Sequence, residues 1–116
     1  MGFLRRFLRR FVESDEQRLA DEVREWAESI PGTTRISSCP SRKPVRIAGV
    51  VRRLTIRPRE DSMEAVVSDG TGEVTAMWIG RSHIPGLSLG SRLTLEGVLS
   101  SERERVRVVN PRYEFA

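Results

Sequence analysis

The apolar residues of this chain change their spacing at Val45, and this change limits the folds open to the chain. Before Val45 they recur every three or four residues, as on an amphipathic helix. After it they alternate with polar residues, as on a half-buried β-strand. A chain of 116 residues is long enough for one hydrophobic core. We therefore expect one mainly β domain, preceded by a helical segment over residues 1–30.

The helical segment carries two apolar stripes, which point in directions that differ by roughly a quarter turn on a straight helix. They consist of Phe3, Leu4, Phe7, Leu8, Phe11 and Val12, and of Leu19, Val23, Trp26, Ala27 and Ile30. Ser14 and Gln17 form a capping-box pattern between the stripes, so we predict two helices with a break there. Pro31 and Gly32 end the second helix. Residues 31–44 have the composition of a loop and are predicted to be a linker.

Residues 45–116 predict five short strands. The first runs from Val45 to about Arg57, and a bend at Gly49 would let it take part in both halves of a barrel. The next three have inward-facing residues Met63, Ala65 and Val67, then Val74, Ala76 and Trp78, then Leu93, Leu95, Gly97 and Leu99. The fifth begins at Val106 and is disturbed near its end by Pro111. Such strands bury enough surface only when the sheet closes, which predicts a five-stranded Greek-key barrel.

Four runs in this region carry a recognisable pattern: VRIAGVV, VVSDGTGEVTAMWIG, LGSRLTLEGVLS and VRVVNPRYEF. They resemble the OB-fold family of nucleic-acid-binding domains. The nearest likeness is to the wedge domain of the RecG helicase, with its Asp-Gly-Thr-Gly hairpin, its G-x-x-L-x-L-x-G fourth strand and its closing Pro-x-Tyr. The likeness covers residues 45–115 and implies an OB-type barrel that binds nucleic acid. The chain has no GxxxxGK[ST] phosphate loop, so the resemblance implies passive binding or delivery to a partner.

Charge is distributed unevenly along the chain, whose net charge is +4 at pH 7. Residues 1–12 hold four arginines and no acid, and residues 13–30 hold seven acids against two arginines. The remainder holds thirteen arginines and one lysine against nine acids. This remainder is therefore basic, and its cations are nearly all arginine. Arginine suits bidentate contacts to phosphate, but a G+C-rich genome produces the same bias, so arginine usage alone decides little.

Two arginine clusters are the candidate nucleic-acid-binding site. They are Arg52, Arg53, Arg57 and Arg59 at the end of the first strand, and Arg103, Arg105 and Arg107 on the last hairpin. In an OB barrel these two places flank one groove, so the clusters are predicted to converge on one phosphate track. The alternative is a solvated face, in which Glu60, Asp61, Glu102 and Glu104 pair with these arginines.

Aromatic residues give two further interpretations. Trp78 could stack on a base, but it shares the parity of Val74 and Ala76, which favours packing inside the barrel. The opposite face of that strand carries Thr75, Met77 and Ile79, so Met77 is the candidate ligand contact there. Tyr113 and Phe115 could contact a ligand or pack against the barrel wall.

Catalysis finds little support in the sequence. His83 is the sole histidine and Cys39 the sole cysteine, and a zinc site needs four ligands. We expect no catalytic residue, no metal and no cofactor. One cysteine cannot form an internal disulfide, and the N-terminus lacks the unbroken apolar stretch of a secretory signal, which points to the cytoplasm. No apolar run approaches the ~18 residues of a membrane span.

An adaptor is the alternative function. Residues 3–10 form a cationic amphipathic pattern, which suits an anionic membrane surface, a partner's groove, or a cap on the barrel's open end. The sequence as a whole predicts a non-catalytic protein that holds single-stranded or branched DNA or RNA on a basic groove.

Overall fold

The computed structural model describes the backbone of residues 2–116 and the side chains of residues 15–116. One helix precedes the strands: α1 (Gly2–Ser29). The strands are β1 (Pro44–Arg57), β2 (Ser62–Ser68), β3 (Glu73–Ile79), β4 (Arg92–Val98), β5 (Ser100–Glu102), β6 (Arg105–Val109) and β7 (Arg112–Phe115). Short 3-10 turns lie at Ile36–Ser38 and Pro58–Glu60.

Helix α1 is continuous, whereas the sequence predicted two helices with a break at Ser14. The residues between the two apolar stripes include no glycine and no proline, and glutamate, glutamine and arginine are good helix formers. A capping-box pattern alone does not interrupt a helix when most of the neighbouring residues are good helix formers. The helix ends at Ser29, just before Pro31 and a Gly32 with φ of 77°, as predicted.

The strands form one sheet of seven in the order β5-β6-β3-β2-β1-β4-β7, not the five-stranded barrel expected. β5 lies at one edge of the sheet and β4 lies beside the opposite edge, yet only Leu99 separates them in the chain. The sheet must therefore curl to bring its two sides together. The short strand β5 (Ser100–Glu102) lies in the stretch between the predicted fourth and fifth strands. The predicted fifth strand is divided into β6 and β7, because Asn110 has a φ of 48° and Pro111 has no N–H for the ladder.

The core is the set of inward-facing residues that alternation predicts. Trp78 is 3% exposed and Met63, Ala65, Val67, Val74 and Ala76 are buried beside it. The Trp78 Nε1–H donates to the Pro111 carbonyl at 3.3 Å, so its polar atom has a partner. The core placement of Trp78 is therefore confirmed. Ile84, from the irregular segment between β3 and β4, completes the core from one side.

Gly49 lies where β1 passes from one neighbour to the other. Residues 44–50 of β1 pair with β4 and residues 50–57 pair with β2, so one strand serves both halves of the sheet, as predicted. A Cβ on Gly49 would lie 2.5 Å from Val67 Cγ1 and 2.8 Å from the Ser68 carbonyl oxygen. Only glycine allows the two backbones to approach so closely here.

The segment predicted as a linker is packed onto the sheet. Ile36 is buried in the core, and the Thr34 N–H donates to the Arg46 carbonyl at 2.8 Å. The C-terminal half of α1 also contacts the sheet. The β2–β3 hairpin meets α1 at Ala20, where Gly70 leaves no room for a Cβ, and the Arg92 guanidinium lies 5.0 Å from the Trp26 ring centroid.

This docking places the second apolar stripe of α1, through Trp26 and the buried Ala27, against the rest of the domain. The side chains of residues 1–14 lie outside the described residues, so the cationic helix predicted there stays a prediction. Among the residues described, no helix is long and apolar enough to cross a membrane.

Candidate nucleic-acid interface

On the outer face of β1, β2, β3 and β6, residues that lie opposite one another on adjacent strands form three rows across the sheet. The rows are Arg53–Val66–Thr75–Arg107, Thr55–Glu64–Met77–Val109 and Arg57–Ser62–Ile79. All of these residues are exposed or half-buried. We call this surface the outer face. Its first row has an arginine at each end, which brings residues 54 positions apart in the chain onto one surface.

A β-bulge in β1 gives Arg53 its place in the first row. The register of β1 against β2 shifts between Val51 and Arg53, so Arg52 has no partner and Arg53 lies opposite Val66. The bulge changes which side chains face outward, since an unbroken alternation would have paired Arg52 with Val66. Both arginines are exposed as a result.

Four arginines line a groove of about 570 Å³ at this end of the outer face: Arg53, Arg103, Arg105 and Arg107. Thr75 and Val66 form part of its floor, and Glu102 and Glu64 also line it. We call it the arginine groove. Arg52 lies in an adjoining hollow with Arg53 and Arg105. The first cluster therefore meets the second through Arg52 and Arg53.

Arg57 and Arg59 lie elsewhere. Arg57 is four residues further along β1, or about 13 Å away at the rise of a strand. Arg59 is exposed on the 3-10 turn after β1. Met77 is half-buried in the middle row, where its Sδ accepts a hydrogen bond from Arg107 Nη2 at 3.1 Å. The structure thus brings five of the seven predicted arginines together and places Met77 beside them.

Two of the seven predicted arginines are held by carboxylates. Arg57 Nη1 lies 3.1 Å from Glu64 Oε1, and Arg107 pairs with Glu102. Within residues 15–116, no ion pair involves Arg52, Arg53, Arg59, Arg103 or Arg105. Of the acids that the solvated-face interpretation invoked, Glu102 alone forms such a pair in that range. Most of the guanidinium groups are therefore free to bind an anion.

The tip of the β5–β6 hairpin has an unusual backbone. Glu102 pairs with Arg105, so Arg103 and Glu104 form a two-residue loop, with φ values of 50° and 67°. Positive φ at both loop residues is the type I′ geometry, in which asparagine and glycine are favoured. An arginine and a glutamate in this conformation cost about 1 kcal/mol or more each. Such outliers concentrate at functional sites.

The aromatic side chains lie away from this face. None of those in residues 15–116 belongs to the three rows. Tyr113 packs edge-on against Trp78 with ring centroids 6.0 Å apart, and Phe115 packs on Tyr113 at 5.8 Å. Both residues therefore pack against other aromatic side chains of the domain.

Cys39 and His83 are not brought together with other ligand-type side chains. In residues 15–116, no three His, Cys, Asp or Glu side chains cluster in a way that could hold a metal ion. Burial, followed by the negative charge of Asp69, raises the pKa of the Cys39 thiol above its ordinary value. The Cys39 Sγ–H donates to the Arg35 carbonyl at 3.3 Å.

Sequence analysis did not single out Glu64 and Val66, although β2 supplies the centre of the outer face. The signal was present, because both alternate with the core residues Met63, Ala65 and Val67. The bulge at Arg52 left no such signal, since two adjacent arginines fit either parity.

Comparison with known proteins shows the fold. No protein-family model matches the chain, and no curated protein matches it. Among solved structures, the p204 HINb domain has a TM-score of 0.60 at 21% identity, over 72% of this chain and 47% of that one. A replication protein A heterotrimer bound to ssDNA has a TM-score of 0.54 at 14% identity, over 75% and 67%. The Stn1–Ten1 complex of S. pombe has 0.52 at 19%, over 63% and 57%.

These likenesses identify the OB fold. The chain spans about half the length of the HINb structure and just over half of that from the Stn1–Ten1 complex. At such identities they describe the architecture only, and ligand binding has to be argued from the outer face itself.

Proposed function

We propose that this protein binds single-stranded nucleic acid through phosphate contacts in the arginine groove, without chemistry of its own. One observation carries the proposal: Arg53 and Arg105 line the same groove from distant parts of the chain, and neither has a carboxylate partner within residues 15–116. Arginine presents a planar fork of donors that matches two phosphate oxygens at once. Two such forks across a groove favour a chain of phosphates over an isolated anion.

The composition of the outer face favours contacts to the sugar-phosphate backbone of the nucleic acid over contacts to its bases. OB domains that hold single strands firmly combine a basic groove with aromatic platforms. Here Thr75 and Val66 line the groove and Met77 lies in the next row of the outer face, so the surface offers aliphatic, thioether and hydroxyl contacts without a ring. Affinity then depends mainly on released counterions, and the protein should discriminate little between sequences.

The hairpin tip supports the same proposal. Arg103 and Glu104 keep a strained backbone at the edge of the groove, where Asn-Gly would relieve it. An arginine retained there in spite of the strain fits a role for its guanidinium in binding.

The fold likeness adds support of a weaker kind. The replication protein A structure is described as bound to ssDNA, and it shares the OB architecture with this chain. The resemblance to the RecG wedge domain adds branched DNA to the candidate ligands, and RNA is a further candidate. A cytoplasmic location fits both a nucleic-acid ligand and the unpaired thiol of Cys39, and we propose it.

The direct test is equilibrium binding of the whole chain to labelled oligonucleotides. Single-stranded DNA, RNA of the same sequence, a duplex and a forked duplex are compared at about 50 mM and about 200 mM salt, where phosphate contacts change affinity strongly. The proposal expects single-stranded or forked ligands to bind more tightly than duplex, with weak sequence preference. Equal absence of binding to all four at the lower salt would refute it.

A second candidate function, a protein or membrane adaptor, is favoured by Leu19. This residue of α1 is 57% exposed although it begins the apolar stripe that continues to Ala27. An apolar side chain left uncovered on a docked helix fits a surface for a partner. Replacing Leu19 with serine, like deleting residues 1–12, should then leave thermal stability and oligonucleotide affinity nearly unchanged while abolishing capture of that partner or of anionic vesicles. A large fall in thermal stability would contradict the adaptor.

A further inference from the structure

A second groove lies beyond the end of β3, outside the site described above. It has a volume of about 720 Å³ and is lined by Arg46, Ile79, Arg81, Arg112 and Tyr113, among others. The carboxylates of Glu96 and Glu114 line it as well. We call it the distal groove. Its arginines come from β1, from the segment after β3 and from β7, so only the folded sheet assembles them.

The distal groove is continuous with the outer face through Ile79. This residue ends the third row of the outer face and also lines the distal groove. It is 59% exposed, and its neighbour Val109 is 51% exposed, so the passage between the two grooves is open and aliphatic. Asn110 fixes the passage, because its Oδ1 accepts from the Ile79 N–H at 2.9 Å and its own N–H donates to the Met77 carbonyl at 2.6 Å.

The charges of the distal groove leave two guanidinium groups available. Arg46 is paired with Glu114 at 3.4 Å, which neutralises that carboxylate. Arg81 and Arg112 take part in no ion pair within residues 15–116. Arg81 Nη1 makes a long hydrogen bond of 3.4 Å to the Tyr113 hydroxyl, which orients the guanidinium without neutralising it. Glu96 is the remaining acid, so the groove keeps a net positive charge.

We propose that a single strand leaving the arginine groove crosses the aliphatic passage and continues into the distal groove, where Arg81 and Arg112 bind its phosphates. The inference rests on the proposed function and extends the same binding site. Arg81 follows Thr75 by six residues and lies at most about 20 Å from it at the rise of a strand, because β3 ends at Ile79. A strand of duplex DNA spaces its phosphates about 3.4 Å apart and an extended single strand spaces them more widely, so fewer than about six nucleotides cross that distance. The chain would thus hold a long strand at two arginine clusters, with the aliphatic side chains of Ile79 and Val109 between them.

The test compares two lengths of labelled oligo-dT, about 4 and about 16 nucleotides, which lie within the site sizes known for one OB fold. The variant is R81A/R112A. The control is R18A/K43A, which removes the same charge from exposed residues that line neither groove. Circular dichroism checks that each variant retains its fold. Affinity and its salt dependence are measured for both lengths.

The longer strand should bind wild type more tightly than the shorter one. R81A/R112A should weaken the longer strand about tenfold and flatten its log–log salt slope by about 1.4, or about 0.7 for each lost phosphate contact. The shorter strand should lose less than about twofold, and the control should show neither effect. Equal loss for both lengths, or equal loss in variant and control, would overturn the extended track while leaving the arginine groove in place. If wild type binds neither length, the proposed function fails and this extension fails with it.

Discussion

The Asp69 Oδ2 atom accepts a hydrogen bond from the Ile36 backbone N–H at 2.8 Å, across 33 residues of chain. Its other carboxylate oxygen accepts from the Thr71 N–H at 2.9 Å, the Thr71 hydroxyl at 2.6 Å and the Gly72 N–H at 3.1 Å. The side chain is 3% exposed, and its hydrogen bonds offset the cost of burying a charge. One carboxylate thus shapes the β2–β3 hairpin and fixes residues 31–43 to the sheet.

Replacing Asp69 with asparagine should lower the free energy of unfolding by about 1–3 kcal/mol, because the new amide presents a donor to a donor at Ile36. Urea unfolding measures the change. Glu73→Gln, an exposed acid that follows the same hairpin, is the matched control and should change stability little. Equal, small effects in both variants would contradict a structural role for Asp69.

Trp78 and Met77 are adjacent but face opposite sides of the sheet, and their truncations should differ accordingly. Trp78→Ala empties part of the core and should cost about 3–5 kcal/mol of stability. Met77→Ala alters the half-buried outer face and should cost clearly less, while it weakens oligonucleotide binding moderately. Denaturant unfolding of both variants tests the order. A reversed order would place Trp78 outside the core.

The sequence predicted the elements whose pattern is local, and it missed those that depend on distant contacts. Alternation placed Ala65, Val74 and Trp78 in the core correctly, because strand parity needs no knowledge of the partner strand. It missed β5, whose residues Ser100–Glu102 are polar and become a strand only by pairing with β6. Asp69 begins an Asp-Gly-Thr-Gly hairpin, where an aspartate is expected for the turn alone, so nothing in the sequence indicated its contact with Ile36.

The site was predicted only in part, again because it depends on contacts between strands that are distant in the sequence. Convergence of the two arginine clusters was predicted from the architecture that the resemblance implied. The bulge at Arg52 and the carboxylates of Glu64 and Glu102 then decide which arginines are available, and both depend on strand register. Register is set by the whole sheet and not by any one strand.

The Cys39 thiol should resist ionisation, because burial and then the charge of Asp69 raise its pKa in the folded protein. The stability that this thiol contributes is fully present below its pKa in the unfolded chain. It is lost as the pH rises, because the thiol ionises first in the unfolded chain, above about pH 8.5. Cys39→Ser should therefore make stability fall less steeply from about pH 8 to 10. Native wild type should also react with iodoacetamide more slowly than the unfolded chain at about pH 8. Identical pH profiles would contradict the raised pKa.

Variants at the tip of the β5–β6 hairpin should change the stability of the fold and the affinity for nucleic acid in different ways. Glu104→Gly relieves a positive φ and should raise stability by about 1 kcal/mol while leaving affinity for single-stranded DNA unchanged or higher. Arg103→Asn should also stabilise the hairpin, but it should weaken binding because a guanidinium of the groove is lost. Thermal unfolding and oligonucleotide titration on the same samples measure both effects. Arg103→Asn with unchanged affinity would remove Arg103 from the interface.

The arginine groove itself is tested most directly by the salt dependence of affinity in R53A/R105A. These two residues line one groove from β1 and β6 and take part in no ion pair within residues 15–116, whereas Arg57 and Arg107 are each held by a glutamate. The variant should flatten the log–log slope for single-stranded DNA by about 1.4 and weaken all sequences alike. R57A/R107A should flatten it less, and R18A/K43A should leave it unchanged. A slope for R53A/R105A equal to that of wild type, with the fold intact, would contradict a phosphate track in this groove.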